Sequence, residues 1–129
     1  MAPRFLDLSE VLEIHKDQVE NYGGEEGIRD MGLIESALAV PCAGGGGEYF
    51  HGDLYEMAAA YLYHLASNHP FIDGNKRVAA MAAFTFLQLN NIDLHAPQTS
   101  FEKLVRETAR GDTGKPKIAE FFRRHSREK

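Results

Sequence analysis

Cysteine occurs once in this 129-residue chain, at Cys42, so an internal disulfide is excluded. Tryptophan is absent. No apolar run is long and uncharged enough to span a bilayer. The segment Met1-Ala2-Pro3-Arg4-Phe5-Leu6-Asp7 lacks the apolar core of a signal peptide. Together these absences predict a cytoplasmic protein with no membrane association. Also missing are zinc-ligand spacing, an aromatic platform and a basic overall balance, the net charge being −5. Direct nucleic-acid binding is therefore not expected. No His/Asp cluster with ligand spacing marks a metal-dependent hydrolase. There is no internal repeat, and the one low-complexity piece is Gly44-Gly45-Gly46-Gly47.

What is present suits one domain spanning residues 1–129. Apolar side chains make up 43% of the chain, enough for a sizeable core. Charge is unevenly placed. Residues 1–68 hold 12 acidic and 3 basic side chains, and residues 69–129 hold 7 and 11. The second part therefore suits a polyanionic ligand. Arg123, Arg124, Arg127 and Lys129 read as a solvated tail.

Apolar spacing predicts a mostly helical chain. Asp7 with Glu10 forms a capping-box pattern before Leu8–Tyr22, which Gly23-Gly24 ends. Asp30 caps a second helix that stops near Pro41, and Asp53 with Glu56 repeats the cap pattern before a third, ending near Asn68. A fourth helix from Asn75 to Leu89 is apolar nearly all round, which marks it as the buried central helix of a bundle. Phe101, Leu104, Val105 and Thr108 mark a fifth helix, and Ile118, Phe121 and Phe122 a sixth.

Between the third and fourth helices lies His69-Pro70-Phe71-Ile72-Asp73-Gly74-Asn75-Lys76-Arg77. Pro70 disfavours α conformation at His69 and so places it on a loop. Gly74 allows close backbone approach to a phosphate. Asn75 can bind phosphate or cap the helix, and Lys76 and Arg77 supply charge. Two cations in a first helical turn are electrostatically misplaced unless an anion meets them. Arg77→Ala is therefore expected to weaken phosphate binding while leaving stability unchanged or slightly raised. Asp73 fits either a helix cap or a Mg²⁺ ligand. The other five histidines, His15 included, carry no such context.

This stretch resembles the signature of the Fic/Doc (Fido) family, His-x-Phe-x-Asp/Glu-Gly/Ala-Asn-Gly/Lys-Arg, at every position through Arg77. The segment Gly27–Ala37, reading Gly-Ile-Arg-Asp-Met-Gly-Leu-Ile-Glu-Ser-Ala, adds to the likeness. The chain is most similar to the Doc (death-on-curing toxin) branch over roughly Leu6 to Ala96. The resemblance implies an all-α, Fido-type helical bundle with a flap loop beside the active site, and it points to Gly44–Gly47 as that flap. It implies His69 as general base, Asp73 as the Mg²⁺ ligand, and Gly74, Asn75, Lys76 and Arg77 as nucleotide-phosphate ligands. AMP-transferring members have Gly at the position of Lys76 and a second Arg at that of Ala80. This chain departs from both, as Doc toxins do. The implied activity is transfer of the γ-phosphate of ATP to a protein hydroxyl, with elongation factor Tu as target, and AMP transfer as the alternative. The family's self-inhibitory motif is matched only by Ser9 to Glu13, with Ile14 where Gly or Asn belongs. Restraint by a separate Phd-like antitoxin is implied instead.

Overall fold

The computed structural model describes residues 2–129 and is mostly helical. Six helices run in order: α1 (Leu8–Tyr22), α2 (Met31–Ala39), α3 (Leu54–Asn68), α4 (Asn75–Leu89), α5 (Gln98–Ala109) and α6 (Lys115–His125). Between them lie β1 (Gly44–Gly45), β2 (Glu48–Tyr49), β3 (Ile92–Leu94) and β4 (Ser126–Glu128). None of the described helices is long and apolar enough to cross a membrane.

The caps follow the sequence pattern. The Asp7 carboxylate accepts from the Glu10 N–H at 2.9 Å, and Glu10 answers by accepting from the Asp7 N–H at 3.1 Å. Asp30 and Asp53 accept from Leu33 N–H and Glu56 N–H respectively. The centre of the bundle is an antiparallel pair, with α4 packed along α3. Ala58, Ala59, Ala60 and Ala66 of α3 and Ala79, Ala82 and Ala83 of α4 are fully buried. Small side chains let the two axes approach closely, and Tyr61, Leu62, Leu65, Phe86 and Leu87 fill the remaining volume. The Tyr61 hydroxyl is not orphaned, since it accepts from the Leu6 N–H at 2.9 Å.

Two expectations change. The C-terminal cations are not a free tail: β4 pairs antiparallel with β3, with Asp93 opposite Arg127. Arg123 donates to Asp53 at 2.9 Å, and Lys129 lies 3.4 Å from Asp93. The cap residue Asp53 therefore serves two partners at once. The second change concerns Gly44–Gly47. Gly44 and Gly45 are β1 itself and Gly46 and Gly47 the turn of the β1–β2 hairpin, in the register Gly44 to Tyr49 and Gly45 to Glu48. Tyr49 of that hairpin meets the Phe5 ring edge-on at 5.5 Å and lines a hollow with Leu54, Leu89 and Asn90. Those residues mark the start of α3 and the end of α4. The glycine turn thus belongs to the end of the bundle opposite His69 and is not the flap.

On the α3–α6 seam, the Lys115 ammonium donates to the Nε2 atoms of His64 at 3.2 Å and His51 at 3.5 Å. Both rings must then be neutral with the proton on Nδ1. Burial, and next Lys115 itself, push the His64 pKa down from 6.5 to about 4. In the unfolded chain His64 binds its proton near pH 6.5, and in the folded one only near 4. The folded state therefore loses stability as pH falls from about 6.5 to about 4, and is unaffected above that window. Denaturant midpoints at pH 5 and pH 7.5 should show this difference. Replacing His64 with Leu should shrink it, and an undiminished difference would place its origin elsewhere.

Candidate active site

The loop between α3 and α4 begins with an unusual backbone. His69 closes α3 in the left-handed region, with φ 49° and ψ 55°. Pro70 disfavours the ordinary helical conformation at the residue before it, which ends α3 there. A non-glycine residue held in the left-handed region costs on the order of 1–3 kcal/mol and needs support. Arg29 supplies it. Its Nε donates to the His69 carbonyl at 2.7 Å and an Nη donates to the Asn68 carbonyl at 2.8 Å. A guanidinium is well placed at these last carbonyls of α3, where the helix dipole is negative. The N–H groups of Arg29 and Asp30 both donate to the Pro70 carbonyl, at 2.8 and 3.0 Å. Ile72 N–H donates to the Gly27 carbonyl, so that Ile28 and Phe71 pair as an antiparallel bridge. The segment Gly23–Asp30 is therefore the flap beside the loop.

Phe71 anchors the loop from below. It is 1% exposed and stacks on His15 at 4.0 Å between centroids. The buried His15 ring also reaches the Asp73 carbonyl with Nε2, at 3.0 Å. A carbonyl only accepts, so Nε2 carries the proton. Asn75 closes the loop from above. Its side-chain oxygen accepts from Phe71 N–H at 2.9 Å, and its amide donates to the Phe71 carbonyl at 3.0 Å. Both ends of the Asn75 amide are thus engaged in shaping the turn.

Asp73 is exposed and does not cap α4. Its two oxygens accept from Gly74 N–H at 2.8 Å and Glu25 N–H at 3.2 Å. Those N–H groups, Glu25 first, hold its pKa below the usual carboxylate value, so it stays ionised. Each oxygen keeps a free lone pair. One carboxylate with phosphate oxygens and water suits Mg²⁺. The described residues contain no group of three His, Cys, Asp or Glu side chains arranged around a metal, so a cation at Asp73 would depend on ligands from a substrate.

Gly74 starts α4 with φ 81°, and no side chain caps the helix. The first-turn N–H groups therefore remain available to an anion. They open on a cleft of about 300 Å³ lined by His69, Asp73, Lys76, Arg77 and, from α5, Ala109. The imidazole of His69 is exposed and has no hydrogen bond among the described residues. Lys76 likewise has no salt-bridge partner among them. Arg77 is different. It donates to the Gly23 carbonyl at 2.9 Å and the Gln18 carbonyl at 3.4 Å, at the end of α1. The dipole argument alone missed these bonds, which tie α1 to α4. Arg77→Ala is therefore expected to lower stability by about 1–2 kcal/mol, the worth of charge-assisted bonds at a part-exposed site. A melting curve matching wild type would show that those carbonyls are as well served by water.

The structure thus brings His69, Asp73, Gly74, Asn75, Lys76 and Arg77 to one cleft, with both ends of the Asn75 side-chain amide engaged in holding the loop. Sequence reading missed His15, Gly24 and Arg29. His15 stood on the apolar face of α1, and Arg29 lay in the Gly-Ile-Arg-Asp segment, so both left a signal. Gly24 left none. Its φ is +117°, and a Cβ there would lie 2.9 Å from an Asp73 oxygen.

Comparison with known proteins identifies a family and two relatives. The Fic/DOC family model matches residues 5–87. The chain is 42% identical over 100 residues to "Toxin Doc" of Mycolicibacterium smegmatis, covering 76% of this chain and 77% of that protein. It is 30% identical over 122 residues to "Protein kinase doc" of Escherichia phage P1, covering 94% of each.

Proposed function

Because the chain belongs to the Fic/DOC family, we propose that it is a Doc-like toxin that transfers the γ-phosphate of ATP to a protein hydroxyl, expected on elongation factor Tu, and so arrests translation. A Phd-like antitoxin would restrain it. The observation that carries this reading is the uncapped start of α4, facing the same cleft as the unengaged His69 ring. The chemistry needs little more than positioning and charge.

The terminal phosphate lies against the first-turn N–H groups of α4, with Lys76 as a mobile point charge. Mg²⁺ held by Asp73 and the phosphate oxygens would supply further neutralisation of charge. His69 takes the proton of the target hydroxyl as its oxygen bonds to phosphorus. The bond to the bridging oxygen breaks, and ADP leaves with that electron pair. Ala80 stands one turn beyond Lys76 and offers no charge for a distal phosphate, which disfavours the orientation that AMP transfer requires.

The test is incubation with bacterial lysate and ATP labelled at either the α- or the γ-phosphate. Label is expected on one protein from γ-labelled ATP only. Incorporation of α-label with the adenine retained would replace this reading with AMP transfer.

A further inference from the structure

Arg29 takes three successive carbonyls of the α3–α4 connection. Its Nε donates to His69 at 2.7 Å and an Nη to Asn68 at 2.8 Å, and its backbone N–H donates to Pro70 at 2.8 Å. The relation between the Asn68 and His69 carbonyls is set by φ and ψ of His69. In an extended chain successive carbonyls point to opposite sides. In a helical conformation of either hand they lie side by side. The left-handed backbone at His69, φ 49° and ψ 55°, places them side by side. A planar guanidinium fork can then hold both at once. A following proline otherwise favours extended backbone. The fork therefore discriminates: it bridges the left-handed turn and cannot bridge the extended one.

We propose that Arg29 is a positioning residue for the general base, selecting the left-handed turn at His69 and so aiming the imidazole into the cleft. This rests on the reading of His69 as the base and deepens it. The imidazole has no hydrogen bond among the described residues, so no partner aims the ring directly. Its direction follows from where the backbone puts the Cα–Cβ bond, and an extended His69 would point that bond elsewhere. The phosphate end is built by other contacts. Asn75 on Phe71 and His15 on the Asp73 carbonyl shape the approach to Gly74 and α4. Loss of the guanidinium thus misplaces the base and leaves the phosphate end intact. The flap also stays docked, because the N–H groups of residues 29 and 30 hold Pro70 whatever the side chain at 29. Arg29 is exposed and makes no salt bridge among the described residues, so its removal unpairs no carboxylate. A lysine there would keep charge at the negative end of α3 without the fork, which separates charge from geometry.

Rates of target labelling in bacterial lysate, measured over a range of γ-labelled ATP, test the assignment in Arg29→Ala, Arg29→Lys and His69→Asn. Arg29→Ala should lose about ten- to a hundredfold in kcat, with KM for ATP within about twofold and a melting temperature near that of wild type. Arg29→Lys should lose about as much. Millimolar guanidinium chloride should return part of the rate to Arg29→Ala and leave wild type and His69→Asn unchanged. The ¹³Cα shift of His69, which separates helical from extended backbone, should move to the extended side in both Arg29 variants. Wild-type kcat in Arg29→Ala, full activity in Arg29→Lys, or an unmoved His69 shift would each overturn the assignment. So would an Arg29→Ala chain that fails to fold, which would make the guanidinium a structural residue. Labelling by His69→Asn at the wild-type rate would instead remove the base itself.

Discussion

His69→Ala loses target labelling by about 10²–10⁴-fold, the usual cost of removing a general base, while folding as wild type does. The two halves of that expectation have separate grounds. The ring is exposed and unbonded among the described residues, so its removal leaves no buried group unsatisfied. Support for the left-handed turn comes through the His69 carbonyl, which Arg29 holds whatever the side chain. Alanine is less at ease than histidine at positive φ, so His69→Asn is the stricter variant: asparagine accepts that conformation readily and is no base. Growth arrest on expression in bacteria without an antitoxin should be relieved by both. If either variant labels its target at the wild-type rate while equally abundant, His69 is not the base.

Phe71→Ala removes about 3–5 kcal/mol of folding stability, as truncating a buried phenylalanine does. Whole domains have only about 5–15 kcal/mol to lose. The ring is among the largest fully buried side chains, and its loss also strips the face of His15. His15 would then hold the Asp73 carbonyl from an unsupported position. The urea midpoint should fall sharply, and the fraction that remains folded should label its target poorly, since a misplaced loop loses orientation. Phe71→Leu should recover much of the stability and less of the activity. A midpoint shift worth under about 1 kcal/mol would mean the loop is anchored elsewhere.

Much of this was legible in the residues. Helix limits were set by side chains that act locally: Asp7, Asp30 and Asp53 cap, and Gly23-Gly24 stops α1. The loop from His69 to Arg77 stood out because a proline, a glycine and two adjacent cations at the start of an apolar helix are an unusual combination. What escaped was everything settled by distant partners. Ser126–Glu128 becomes a strand only because Ile92–Leu94 offers an edge. The glycine run looked like a flap, but nothing local records which end of α3 it packs against. Arg77 looked like a bare cation until the carbonyls of Gln18 and Gly23 were placed beside it. The identity of the flap was settled by backbone pairing between Ile28 and Phe71, which carries almost no side-chain signature.

Three of the bonds that tie the α3–α4 loop to the rest of the molecule have one property in common. Arg29 reaches back from His69 across 40 positions, His15 from Asp73 across 58, and Gly23 from Arg77 across 54. Each closes a long stretch of chain, and closure entropy must be met before any of them forms. The loop therefore completes its contacts late in folding, once α1 has docked on the α3–α4 pair, and loses the His15 and Gly23 bonds when α1 leaves. Amides of the loop should exchange with solvent together with those of α1. A chain with α1 detached keeps the Arg29 and Asn75 bonds but loses the supports of Asp73 and Arg77.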